Sequence, residues 1–358
     1  MFPFKLLLCA AAVAAAPGIG LAQANVLTYH NNNARTGANL NETLLTPSNV
    51  NPNTFGKLFT YPVDGYVYAQ PLYVSNLSVP GQGTHNAVFV ATEHNSVYCF
   101  DADSNAGTNG GVFWQVNLGP SATTNDFLFR AIVPEVGITG TPVIDPVSQT
   151  LYVDAFTYEG TNFIHRIHAL NLADGSERSF SPVTVSISIP GTGTGSSGGV
   201  LPFQASQQLQ RSALTLAGGV LYVPYAGYTD MINTDPFHGW IIGFDPSTLQ
   251  LLPDHIFNST PNGTTSQFGA SAGEGGIWMG GGGLAVDDAT NLYFSIGDGN
   301  FNAFFGGTEY GDSVVKLSTT NGLAVADYFT SYNEDYYRTH DLDVGSGGVM
   351  LLPDQPGP

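Results

Sequence analysis

The chain repeats a pattern of short strands about every 71 residues. The clearest copy spans residues 137–175, where apolar and aromatic strands alternate with turn formers such as Asp145-Pro146. Equivalent first strands begin near residues 71, 142, 213, 284 and 349. Four strands per unit, without a long segment of helical periodicity, indicate small sheets that bury their faces by stacking on one another. We therefore predict an all-β fold, a β-propeller of four-stranded antiparallel blades.

The repeats do not complete a ring. Four units are complete, and a fifth only begins at residues 348–354. A strand predicted at residues 55–61 precedes the first unit and would complete the last blade of a closed propeller. We expect a single propeller domain over residues 25–358 whose ring is incomplete, and a sequence that belongs to a longer protein. Such an array would expose unpaired strand edges.

The first 24 residues have the features of an export signal. Lys5 supplies positive charge, residues 6–16 are apolar but too short to span a bilayer, and Ala22-Gln23-Ala24 is a small-residue cleavage site. A buried N-terminal helix is the alternative. We predict a signal peptide over residues 1–24 and an exported protein, periplasmic or extracellular, without a membrane span.

The chain is strongly acidic. Its 9 lysines and arginines and 28 aspartates and glutamates give a net charge of -19. Such a surface repels nucleic acid and anionic lipid, so we expect neither as a partner. The carboxylates could bind calcium or could serve solubility alone. Cys99 is the one cysteine after the predicted signal, and its strand-like surroundings indicate a core residue.

Three loop motifs are similar to binding or catalytic signatures but lack their structural context. The G-x-G-x-x-G run at residues 193–198 has no flanking strand and helix, so it does not indicate a dinucleotide site. The G-x-S-x-G run at residues 269–273 lies in a glycine-rich loop rather than a nucleophile elbow. The acidic spacing at residues 101–107 has no carboxylate at the twelfth position of a calcium loop and indicates a turn.

Residues 97–119, VYCFDADSNAGTNGGVFWQVNLG, resemble the repeat of pyrroloquinoline quinone (PQQ)-type propellers. Asp101, Gly111, Trp114 and Leu118 fit the repeat V-Y-A-L-D-A-x-T-G-x-x-x-W-x-x-x-L-G, with a small insertion. The whole chain is similar to exported bacterial PQQ-like repeat proteins of unclear activity. The resemblance implies a propeller fold. In the quinoprotein dehydrogenases of this group, a quinone and a calcium ion lie at one end of the central channel.

The resemblance implies that two sets of loops form that end of the channel. One set enters the first strands, and the other joins second to third strands. Together they supply a polar, acid-rich rim: Gln70, Glu93, His94, Glu135, Glu159, Arg211, Glu274, Trp278, Asp298, Asn300, Asp341 and Asp343.

If the chain is a quinoprotein, the resemblance implies a role for eight of these residues. Residues 291–300 are similar to the run N-L-x-Y-x-G-x-G-N, whose last residue, here Asn300, binds calcium. Glu159 is the nearest candidate for a second calcium ligand, one position from the aligned one. Trp278 lies four positions from the tryptophan expected under the quinone. The remaining roles are cofactor contacts by Glu135, Arg211 and Glu274 and a catalytic base at Asp341 or Asp343.

Two functions follow from these patterns. The sequence favours a non-catalytic binding or scaffold module, whose rim would bind a small molecule or a protein partner. The alternative is a PQQ- and calcium-dependent oxidoreductase acting on an alcohol or a sugar. In that alternative, calcium would polarise the quinone carbonyl and a carboxylate would accept the alcohol proton.

Overall fold

The β-branched and aromatic runs between turns form strands, and these pair into antiparallel sheets that follow one another along the chain. The computed structural model describes residues 25–107, 109–126, 132–228, 237–264, 273–342, 344–353 and 355. The predicted signal, Asp343 and most of the G-x-S-x-G run lie outside these residues. In the described part of the chain, no helix is long and apolar enough to cross a membrane.

The first two sheets each have four strands. Sheet 1 contains β1 (Leu72–Val79), β2 (Gly83–Ala91), β3 (Ser96–Asp101) and β4 (Val112–Asn117). A small hairpin follows, made of β5 (Ala122–Thr123) and β6 (Glu135–Val136). Sheet 2 contains β7 (Val143–Asp145), β8 (Thr150–Glu159), β9 (Asn162–Asn171) and β10 (Val183–Thr184).

A second hairpin, of β11 (Ser188–Pro190) and β12 (Val200–Pro202), leads to the third sheet. Sheet 3 contains β13 (Gln208–Leu209), β14 (Thr215–Ala217), β15 (Val220–Gly227), β16 (Trp240–Phe244) and β17 (Leu251–Asn258). Sheet 4 contains β18 (Ala285–Val286), β19 (Leu292–Ser295), β20 (Ser313–Ser318) and β21 (Ala324–Thr330). The described helices are short: α1 (Glu334–Thr339) and 3-10 turns at Ala205–Gln207, Met279–Gly281, Ala303–Phe305 and Val344–Ser346.

Three apolar cores fill the spaces between consecutive sheets. Strand β8 shows how one sheet serves two of them. Leu151 and Val153 pack into the core shared with sheet 1, whereas Tyr152 packs into the core shared with sheet 3. This division follows from the period-two alternation of a strand. A third core lies between sheets 3 and 4 and includes Tyr222 and Phe294. The two middle sheets are therefore covered on both faces.

The segments that enter β1, β7, β14 and β18 lie side by side in chain order. The Gln70 amide donates to Thr141 Oγ1 at 2.9 Å, and the Leu214 amide donates to the Thr141 carbonyl at 3.0 Å. The Ala213 amide donates to the carbonyl of Gly282 at 3.2 Å, and Ala213 forms a parallel bridge with Gly283. The segments that enter consecutive sheets are thus neighbours in space.

Residues 25–36, which we call the bridging segment, contact an edge strand of every sheet. The four contacts are Val26 with Tyr73 of β1, the Leu27 carbonyl with the Ile144 amide of β7, Asn33 Nδ2 with the Leu216 carbonyl of β14, and the Asn33 carbonyl with the Val286 amide of β18. Their donor–acceptor distances are 2.8 to 2.9 Å. The bridging segment therefore connects all four sheets through hydrogen bonds.

Three predicted strands are wrong in whole or in part. Residues 55–61 form no strand, and Phe55 is 58% exposed because no sheet edge pairs with this stretch. Residues 348–353 also form no strand, since their one backbone bond to the bridging segment joins Leu351 to Ala34. The β-branched residues at 179–189 also predict a single outer strand, but the structure has only β10 there, followed by the start of β11 at Ser188. Pro182 has no amide to donate, which limits the pairing with β9 at the start of β10.

Candidate functional site

The loop between β2 and β3 turns Glu93 into the protein. Its side chain is fully buried, and Oε2 accepts hydrogen bonds from the Gly137 amide at 2.7 Å and from the Thr139 hydroxyl at 3.1 Å. The backbone of Gly137 lies so close that an added Cβ would stand 2.2 Å from the Glu93 carbonyl oxygen. Glycine at position 137 thus permits the close approach between this loop and the entry to sheet 2.

Burial raises the pKa of Glu93 to about 7. The hydrogen bonds from Gly137 and Thr139 and the charge of Arg211 oppose this rise without cancelling it. The other carboxyl oxygen, Oε1, is buried and has no hydrogen-bond partner among the described residues. Glu93 can therefore exchange a proton near neutral pH, which is a property of many functional carboxyl groups.

Arg211 lies between two aromatic rings. Its guanidinium carbon is 5.9 Å from the centre of the Tyr68 ring and 6.0 Å from that of Trp278, within the range of cation–π contact. Nη2 donates to the Gly280 carbonyl at 3.1 Å. A Cβ on Gly281 would stand 2.4 Å from Arg211 Nη1, so glycine at this position leaves room for the guanidinium. Burial lowers the pKa of Arg211, and the charge of Glu93 acts in the opposite direction.

Glu135 and His94, which are distant in sequence, form an acid–histidine pair in the same region as Arg211. Glu135 Oε2 in β6 accepts hydrogen bonds from His94 Nδ1 at 2.8 Å and from the Ser121 hydroxyl. The contact with Glu135 raises the pKa of His94. The His94 side chain is 48% exposed, whereas that of Glu135 is 15% exposed. The pair therefore presents an ionisable edge to solvent, and the charge of Glu135 also raises the pKa of Glu93.

We call this group the arginine site: Tyr68, Glu93, His94, Glu135, Arg211 and Trp278. Its guanidinium can pair with an anionic group, and the flanking rings offer flat apolar faces. The sequence selected Glu135, Arg211 and Trp278 as site residues, and the structure brings Arg211 into contact with Trp278. Tyr68 was missed, although it enters a first strand in the same kind of loop as Arg211.

Glu274 and Asn300 belong to a second group, between sheets 3 and 4. The backbone of Glu274 bridges Gly299, and the amide of Asn300 donates to the Gly273 carbonyl at 3.2 Å. Next to them, Asp312 is 1% exposed, and its carboxyl group faces the carboxyl group of Asp298. Burial first, and then the Asp298 carboxyl, hold the Asp312 pKa well above its usual range.

The remaining predicted site residues lie elsewhere. Glu159, at the tip of the β8–β9 hairpin, binds Arg166 through both carboxylate oxygens and accepts a 3.0 Å hydrogen bond from Thr157. A calcium ion at Glu159 would have to displace that arginine. Asp341 is exposed in the loop after α1. Among the described residues, no three or more histidine, cysteine, aspartate or glutamate side chains are arranged to hold a metal ion. Glu159, which is neutralised by Arg166, therefore does not fit the predicted role of a calcium ligand.

The sequence matches no protein-family model and no curated protein.

Proposed function

We propose that the four sheets are blades of a PQQ-like β-propeller and that the chain is an exported, non-catalytic binding module. The radial arrangement is supported by the neighbouring segments that enter the four sheets, by the three cores between consecutive sheets and by the bridging segment, which contacts an edge strand of every sheet. Stacking of this kind buries the faces that a single small sheet would expose.

The contacts of Trp114 support the resemblance to the PQQ-type repeat. Its indole Nε1 donates to the Leu172 carbonyl at 2.9 Å, across the boundary between sheets 1 and 2. Gly175, at a positive φ of 72, lies against the same ring, where an added Cβ would stand 2.7 Å from Cε3. Trp114 and Gly175 both occupy positions of the repeat, and their contact joins sheet 1 to the unit that follows it.

The placement of Arg211 between Tyr68 and Trp278 is the observation that carries the binding role. Tyr68 is 46% exposed, so a ligand can reach the ring and the guanidinium from solvent. Glu93 interacts electrostatically with Arg211, and its charge changes near neutral pH. The site suits a molecule with a flat face and a carboxylate, because guanidinium pairs with carboxylate while aromatic rings stack.

The alternative, a PQQ- and calcium-dependent oxidoreductase, has less support. It needs a carboxylate free to bind calcium, whereas Glu159 is neutralised by Arg166. Of its two predicted bases, Asp341 is exposed in the loop after α1, and Asp343 lies outside the described residues. We therefore favour binding without turnover.

PQQ itself, a flat molecule with several carboxylates, is the probe that separates the two functions. We expect calorimetric titration of the purified protein to detect PQQ binding, and Arg211→Gln to weaken it at least about tenfold through loss of the charged contact. Arg166→Gln, a change of the same chemistry on the β8–β9 hairpin, should leave the affinity unchanged. No reduction of a redox dye is expected with PQQ, calcium and ethanol or glucose.

Two results would contradict this proposal. Equal PQQ affinity in the parent and Arg211→Gln proteins would remove the arginine site from the binding role. PQQ- and calcium-dependent dye reduction would establish the oxidoreductase instead.

A further inference from the structure

A second arginine, Arg35 of the bridging segment, is buried without a carboxylate partner. It is 2% exposed, and no aspartate or glutamate oxygen of the described chain lies within 4.0 Å of it. Its hydrogen bonds go to neutral oxygens at 2.7 to 2.9 Å: Nε to the Leu284 carbonyl, Nη1 to the Thr28 hydroxyl and the Tyr29 carbonyl, and Nη2 to the Thr215 hydroxyl.

One donor of this guanidinium is left over. A guanidinium has five N–H groups, of which four are used. The fifth, on Nη2, has no acceptor among the described residues. Burial lowers the pKa of Arg35 to about 10, so the group still carries its charge at neutral pH. A buried charge is unfavourable unless an opposite charge compensates it. A chain rich in acidic residues supplies none to this position.

Arg35 lines a cavity of about 170 Å³. The other lining residues are Tyr29, His30, Thr36 and the short stretches 282–283 and 348–350. Gly283 lies flat against the guanidinium, since an added Cβ would stand 2.7 Å from Cζ and 2.8 Å from Nη2. The rings of Tyr29 and His30 stack with centres 4.0 Å apart. A cavity of about 150 Å³ holds a molecule the size of benzene, which has six non-hydrogen atoms.

We propose that this cavity binds a small carboxylate of about six non-hydrogen atoms, with its charged group on Arg35. The carboxylate supplies the counter-charge that the chain lacks and accepts the unused Nη2 hydrogen. Thr36 and His30 provide polar groups for a hydroxyl on the same molecule, so a short hydroxycarboxylate fits best. This site is separate from the arginine site and does not depend on the function proposed there.

Lactate, which has six non-hydrogen atoms, is the probe. Titration calorimetry of the full chain at low salt should give a dissociation constant of about a millimolar or below, as expected for so small a ligand. Arg35→Lys keeps the charge but loses the planar pair of donors, and should weaken binding about tenfold. Met350→Trp fills the cavity from its half-exposed rim without removing any Arg35 hydrogen bond, and should abolish binding.

Matched controls separate binding from folding. Arg338→Lys makes the same change on the surface helix α1, and Leu352→Trp adds an indole close to the cavity but outside its lining; both should bind lactate like the parent protein. Circular dichroism and thermal unfolding would verify that each variant is folded. The proposal is overturned if the parent protein does not bind lactate, or if Arg35→Lys and Met350→Trp both retain full affinity. Binding of inorganic phosphate in place of lactate would overturn the carboxylate assignment.

Discussion

Two buried carboxyl groups, Glu93 and Asp312, occupy corresponding places in the fold. Each lies between the second and third strand of its sheet, in sheets 1 and 4 respectively. Burial is the largest cause of the raised pKa in both cases, and Asp312 also faces the Asp298 carboxyl. Near physiological pH, Asp312 is therefore a neutral acid and Glu93 is partly protonated, although the protein as a whole carries a large negative charge.

Glu93 should make the folded protein less stable as pH rises. Its pKa is about 7 in the folded protein against an ordinary value of 4.5. Between these values the folded state binds more protons than the unfolded state, so the free energy of unfolding falls with increasing pH. The shift corresponds to a loss of about 3 kcal/mol. Glu93→Gln should remove that loss, as measured by urea denaturation between pH 4.5 and 8.

The exposed acid Asp288 provides the comparison for this experiment. Asp288→Asn should leave the slope of stability against pH unchanged. If Glu93→Gln follows the same slope as the parent protein, the carboxyl group is not the source of the pH dependence.

At the scale of elements, sheets 2 and 3 are joined by a buried polar network. Asp154 of β8 binds His165 Nδ1 of β9 at 2.7 Å through Oδ1, and Tyr225 of β15 donates to its Oδ2 at 2.8 Å. His165 Nε2 contacts the Gln208 carbonyl at 3.0 Å. A carbonyl only accepts, so Nε2 must carry a hydrogen. All four partners are buried, which makes each missing contact unfavourable.

Removing the Tyr225 hydroxyl should destabilise this boundary. Tyr225→Phe leaves one oxygen of buried Asp154 without its donor, and we expect a loss of about 1–3 kcal/mol in the free energy of unfolding. Tyr222→Phe removes a hydroxyl that contacts His255 within sheet 3 and is the matched control. It should have a smaller effect in urea denaturation. Equal losses in the two variants would show that the Asp154 contact has no special weight.

The strand pattern of the four sheets was predictable because turn formers and period-two alternation are local properties. Partner choice is not local. Residues 55–61 have the composition of a strand, yet no sheet edge pairs with them. Part of the arginine site was predictable from residue types within single loops. Arg211 and Trp278 stand out in their loops, whereas the burial of Glu93 depends on Gly137, which belongs to the next unit.

Asp312 illustrates what a sequence pattern cannot reveal. Nothing in the residues around it distinguishes it from an exposed loop acid, and its position opposite Asp298 follows from the path of the loop before β20. Glu159 shows the reverse case. Its place in the chain suggested a metal ligand, but its nearest charged neighbour is Arg166 across the same hairpin.

At the scale of the whole molecule, the bridging segment should be protected from hydrogen exchange by its contacts with the sheets. Its backbone bonds reach sheets 1, 2 and 4, and the Asn33 side chain reaches sheet 3. Because the amides of Val26, His30 and Arg35 donate hydrogen bonds, amide hydrogen exchange followed by mass spectrometry should show slow exchange within residues 26–36. Residues 38–53, largely exposed and joined mainly by local turns, are the internal comparison and should exchange fast. Fast exchange of both stretches would contradict the role given to the bridging segment.

The contact between Arg35 and Leu284 spans 249 positions of the chain. Each sheet closes on local pairings and can form soon after its own residues are synthesised, because short loops close at low entropic cost. The bridging segment emerges first but finds its final partner only when sheet 4 exists. During most of synthesis, acceptors such as the Leu284 carbonyl are therefore not yet present. The bridging segment is thus translated before the rest of the described chain but is the last part to complete its contacts.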